Sequence, residues 1–130
     1  MATWREVQER VRREHALARD EADSFAVTIE RAEVGGVRAQ KVMVRRYKAW
    51  GHDMLEVRSA FAEAADYEGR DLLPENLRMP IGAMARHGQY LVVVHKTPLA
   101  HVSVDGVLFL LTRISELADL LEQRTGGDRF

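Results

Sequence analysis

Five histidines, His15, His52, His87, His95 and His101, are the residues of this chain best suited to bind a metal ion or move a proton near neutral pH. Zinc-type sites use ligands at short fixed spacings, as an HxH pair or a helical i,i+4 pair, and none of the five stands in such a pair. Cysteine is absent, which removes thiolate zinc sites, iron–sulfur clusters, disulfides and a cysteine nucleophile. No metal and no cofactor is therefore expected. His95 and His101 flank Pro98 and could approach one another, so a small-ligand or enzymatic pocket around them stays open as an alternative. His101, Ser103 and Asp105 have the residue types of a hydrolase triad, but a triad converges from separate elements, and Asp105-Gly106 reads as the first turn of a helix. Gly35-Gly36 and Gly126-Gly127 fit no phosphate-binding pattern; a turn and a helix stop account for them.

Binding chemistry is better represented. Arg38, Lys41, Arg45, Arg46 and Lys48 form a basic string that could present cations to phosphates, giving nucleic-acid binding as a second alternative. Such charges more often protect a solvated sheet face or edge from aggregation, and only Tyr47 and Trp50 accompany them. Met43, Met54, Met79 and Met84 offer flexible apolar side chains of the kind found on adaptable binding surfaces. If Val42, Val44, Leu55 and Val57 pack inside, Met43 and Met54 must face the other way.

The elements that would position these residues follow from periodicity. Apolar residues from Thr3 to Ala18 recur at three- and four-residue steps, with Thr3 and Glu6 placed as a capping box, which predicts an amphipathic helix. Phe25, Val27 and Ile29 alternate with polar neighbours; Gly35-Gly36 turns the chain into a β-branched run from Val37 to Tyr47. After a turn at Trp50 to Asp53, Leu55, Val57, Ser59 and Phe61 mark a third strand. Leu72 to Leu77 with Pro74 predicts a short helix, Ile81, Ala83 and Ala85 a weak strand, and Tyr90 to His95 a strong one that Pro98 ends. Ser103 then caps a long helix with a wide apolar stripe from Val104 to Leu121. The expected fold class is α+β, in the order α-β-β-β-α-β-β-α, an antiparallel sheet with two long helices on one face. The other sheet face must then meet water or a partner.

Bulk properties agree with one domain over residues 1–130: 46% hydrophobic and 30% charged residues make an ordinary globular balance. A formal net charge of -1 supplies no global field toward nucleic acid or anionic lipid. The N-terminal segment is charged and lacks an apolar stretch, and the longest apolar run near the other end, Val107 to Leu111, is too short for a bilayer; no membrane association and a cytoplasmic location are expected.

The element order, "LLPENLR" before the last strand pair, the hairpin "IGAMARHGQYLVVVHKTPL" and the closing helix ending "ISELADLLEQR" with its Ala-Asp resemble the class I type III secretion chaperones and the related YbjN-type domains. The resemblance covers most of the chain and contains no catalytic signature. It implies a homodimer that holds an extended segment of a client protein across apolar sheet and helix surfaces, without enzymatic activity. The residues expected to meet a partner are Met43, Arg45, Met54, Met84 and Tyr90.

Overall fold

The computed structural model describes residues 1–124. The predicted helix stop at Gly126-Gly127 lies outside the described residues. Helix α1 spans Trp4–Glu14 and opens with the expected capping box: Thr3 Oγ1 accepts the Glu6 N–H at 3.2 Å, and the Glu6 carboxylate accepts the Thr3 N–H at 3.3 Å. The helix ends at Glu14 and not at Ala18, because the chain turns into strand β1, Leu17–Asp20, which the sequence did not announce. Side chains of α1 hold that turn: Gln8 Nε2 donates to Asp20 Oδ1 (2.8 Å) and to the Glu21 carbonyl (2.7 Å), Arg12 grips the Asp20 carboxylate, and Trp4 Nε1 donates to the Ala22 carbonyl (2.8 Å).

Strands β2 (Ser24–Glu33), β3 (Gly36–Ala49) and β4 (His52–Glu63) form the predicted meander. A 3-10 turn at Ala64–Tyr67 and helix α2, Leu73–Arg78, lead to strands β5 (Ala83–His87) and β6 (Tyr90–Pro98). Helix α3, Val104–Arg124, follows all six strands, and Ser103 caps it, its Oγ accepting the Gly106 N–H at 2.9 Å. The sheet is antiparallel throughout, in the order β1-β2-β3-β4-β6-β5, so the architecture is α+β with α1 and α3 over the sheet as expected.

Register decides which side of each strand is buried. Phe25 pairs with Val44, Val27 with Val42 and Val44 with Val57, and all five are fully buried on the side covered by α3. Val7 and Val11 of α1 and Leu111, Ile114 and Ala118 of α3 complete that core. Phe61 meets Tyr67 edge-on with ring centroids 5.8 Å apart, beside an irregularity between Ala60 and Ala62 where β4 shifts register against β6. Each large apolar side chain removed from water in this layer contributes about 1.5–3 kcal/mol before conformational entropy is counted.

Candidate protein-binding surfaces

The segment leading into β5 builds one wall of an apolar cleft. Gly82 has φ of +66°, and a Cβ there would lie 2.8 Å from the Val94 carbonyl oxygen and 3.2 Å from Ile114 Cδ1. A glycine at this point lets Pro80-Ile81 pass close over the end of the core and against α3. The cleft, about 420 Å³, lies between Pro80-Ile81 and the outward side of α3, where Phe109, Leu117 and Leu120 line it. Phe109 and Leu120 remain half exposed, and Leu73 and Leu77 of α2 are largely exposed. Leu117 and Leu120 also line a neighbouring, more polar cleft that reaches Glu75 and Arg78 of α2. At its rim Arg113 pairs with Glu116 at 2.7 Å and lies over the Phe109 ring.

The second surface is the side of the sheet away from α1 and α3. Here the strand pairing lines up Met43, Arg58, Val94 and Ala83 across four strands, with Arg45, Glu56 and Lys96 in the next row. Glu56 is almost completely buried although it sits on the open face. Arg45 binds it in bidentate fashion (2.9 and 3.1 Å), Arg58 donates at 2.9 Å, and Lys96 stands 3.7 Å away. Burial pushes the Glu56 carboxyl up, but the hydrogen bonds from Arg45 and the charges of Arg45, Arg58 and Lys96 outweigh it and hold the carboxyl below its ordinary value. The Tyr47 ring lies beneath Arg45 and within 5.9 Å of Lys96. Beside this network a shallow cleft of about 250 Å³ is lined by Lys41, Met43, Arg58, Ala60, Tyr90 and Val92, among others.

The residues expected to meet a partner divide accordingly. Met43, Arg45 and Tyr90 are on the open face and partly accessible. Met54 also faces that side, in register with Tyr47 and Pro98, but only 8% of its surface is exposed. Met84 is a correction. It pairs with Val93, belongs to the core at 6% exposure, and its backbone N–H and carbonyl are bonded by the Asn76 side chain at 2.6 and 3.1 Å. Its neighbours Ala83 and Ala85 offer no polar contrast to it, so the tight turn at Gly88-Gln89 and not a hydrophobic alternation sets its register. Through Asn76, α2 also occupies backbone groups on the outer edge of the sheet.

The basic string is dispersed. Arg38 points to α3 and bonds Asp119, Arg46 bonds Asp23, Lys48 pairs with Asp53 and Arg45 with Glu56. His95 stands opposite Val57, half-buried on the helix-covered side, and His101 is exposed in a 3-10 turn at Leu99–His101. The described residues contain no group of three or more His, Cys, Asp or Glu placed to hold a metal ion. No helix among them is long and apolar enough to cross a membrane.

Sequence reasoning missed one charged constellation altogether. Asp119, 1% exposed at its side chain, accepts hydrogen bonds from Arg31, from Arg38 Nε at 2.8 Å and from Gln123 at 3.0 Å, and Arg38 also approaches the buried Glu122. This clamp ties the distal end of α3 to the β2–β3 hairpin. Comparison of the chain with protein-family models and with curated proteins finds no match.

Proposed function

We propose that this domain is a protein-binding, chaperone-like adaptor that holds an extended segment of a partner protein and works in the cytoplasm as a homodimer without a cofactor or a catalytic role. The observation that carries this reading is the uncovered apolar cleft on α3. A domain of this size buries its large apolar side chains where it can, and Phe109 and Leu120 stay half exposed around this depression although the core beneath them is filled; Leu73 and Leu77 of α2 are exposed apart from it. The lining is almost free of polar groups, with only Arg113 and Glu116 at the edge and paired with each other. That chemistry suits the apolar side chains of a polypeptide and leaves the exposed leucines of α2 as area for the second copy. The expected α+β order on which the resemblance to secretion-chaperone domains was drawn is present with β1 added, and it is compatible with the same reading.

The test is binding of a labelled, permanently unfolded reduced polypeptide, followed by fluorescence anisotropy, together with the solution mass by light scattering. Saturable binding that Phe109→Glu and Leu120→Glu abolish, with twice the chain mass in solution, supports the reading. Binding that neither substitution changes would remove the cleft from the mechanism.

A further inference from the structure

We infer that the open face of the sheet is a second binding site, selective for an extended acidic segment of a partner protein. Charge complementarity carries it, on a surface that no element among the described residues covers. Lys41, Arg45, Arg58 and Lys96 all project from this face; in its middle Arg45, Arg58 and Lys96 surround the single carboxylate of Glu56, Lys41 stands further along β3, and Glu30 and Glu63 stand at the margins. A chain with a formal net charge of -1 thus concentrates an excess of cations on one side of one sheet. Glu56 fixes Arg45 and Arg58 in place, and Lys41 and Lys96, both exposed, extend beyond it. Between these cations lies the cleft floored by Met43, Ala60 and Val92, which takes an apolar side chain. An extended peptide presents alternate side chains to one side about every 6.8 Å, so it can set an apolar group in this cleft with carboxylates on either flank. Carboxylates match guanidinium and ammonium donors directly.

A nucleic acid fits this surface less well. Arg38 and Arg46 lie on the other side of β3, in step with Val42 and Val44, and bond Asp119 and Asp23, so the cations of the open face form a compact cluster instead of a track. The Tyr47 ring is engaged by Arg45, which removes a stacking platform that a single strand would use.

The probes are a fluorescein-labelled synthetic peptide of Glu-Ser-Leu-Ser repeats, which sets Glu and Leu in alternation on one side of an extended chain, its counterpart with Lys for Glu, and a labelled oligothymidylate, titrated with the full chain. The acidic peptide is expected to bind, to weaken as salt is raised, and to lose about tenfold in affinity when Lys41→Glu and Lys96→Glu are combined, the long-range part of such attraction being screened by salt. Both lysines are exposed, so the melting temperature should hold; the pair Lys41→Gln and Lys96→Gln keeps the measurement readable should charge reversal beside Glu56 unsettle the fold. Phe109→Glu should leave this binding intact, which separates it from the α3 cleft. Equal binding of the acidic and basic peptides, or indifference to both lysine pairs, overturns the inference. So does tighter binding of the oligothymidylate. An acidic peptide lost on Phe109→Glu but not on the lysine changes would assign the segment to the α3 cleft and leave the earlier proposal standing alone.

Discussion

Replacing Asp119 by alanine removes the acceptor that joins α3 to the β2–β3 hairpin. Three donors, on Arg31, Arg38 and Gln123, lose their partner. Hydrogen bonds to a charged group contribute about 1.5–3 kcal/mol each, so the gross loss is several kcal/mol. The side chains of Arg31 and Arg38 are 31% and 20% exposed and regain part of this from water. Arg38 keeps Glu122 beside it; what remains is the cost of removing the buried acceptor from this cluster, and breaking a buried pair typically costs about 3–5 kcal/mol. With that hydration the expected loss is about 3 kcal/mol, which at a urea slope of about 2 kcal/mol/M lowers the midpoint by about 1.5 M. Equilibrium unfolding followed by far-ultraviolet circular dichroism measures it. Glu116→Ala is the control: it breaks an exposed pair with Arg113 and should change stability by less than about 1 kcal/mol. If the two variants unfold at the same urea concentration, the clamp contributes nothing and the reasoning about its burial is wrong.

Three further outcomes follow from the packing and the charges. Phe61→Ala empties a fully buried site against Tyr67 and should cost about 3–5 kcal/mol, read from the same urea titration. Gly82→Ala places a methyl group against the Val94 carbonyl in a left-handed conformation and should cost about 2 kcal/mol, visible as a lower melting temperature; an unchanged one would mean the Pro80-Ile81 segment is free to move. Burial raises the Asp119 carboxyl, but hydrogen bonds from Arg38 and Gln123 and the charges of Arg38 and Arg31 outweigh it and hold it below its ordinary value; Glu56 is held low in the same way by Arg45, Arg58 and Lys96. A carboxyl depressed by folding contributes stability that is complete above its unfolded value, about 4, and is lost as the pH falls through its folded value. The urea midpoint should therefore decline as the pH drops below about 4, and less steeply in Glu56→Gln.

The alternation of β2, β3 and β4 was legible in the sequence because one side of each strand is apolar and the other charged, and it correctly put Met43 and Met54 opposite Val42 and Leu55. Strand β1 was not legible: Leu17–Asp20 contains one apolar residue of consequence and forms because Gln8 and Arg12, from another element, hold Asp20. The inward turn of Met84 was hidden for a related reason, since Ala83 and Ala85 provide no contrast with it. Asp119 stood out in the sequence only as the Asp of the closing helix's Ala-Asp; its arginine partners lie more than eighty residues away in the chain, at separations of 88 and 81. The α3 cleft depends on where Pro80-Ile81 crosses the helix, which no local pattern encodes. The lone positive-φ residue other than glycine among those described, Trp50 at +51°, sits in the β3–β4 turn where a glycine or asparagine would be the ordinary choice.

That α3 comes after every strand has a consequence for the growing polypeptide. During synthesis the whole sheet is made before its main cover, so the side bearing Phe25, Val44, Val57 and Val93 stays unshielded until Val107, Leu111 and Ile114 leave the ribosome. Arg31 and Arg38 wait as long for Asp119. Nascent chains halted ahead of α3 should be captured by general chaperones and cut readily by proteases, and the transition to resistance should fall at the codons for that helix, not gradually along the strands.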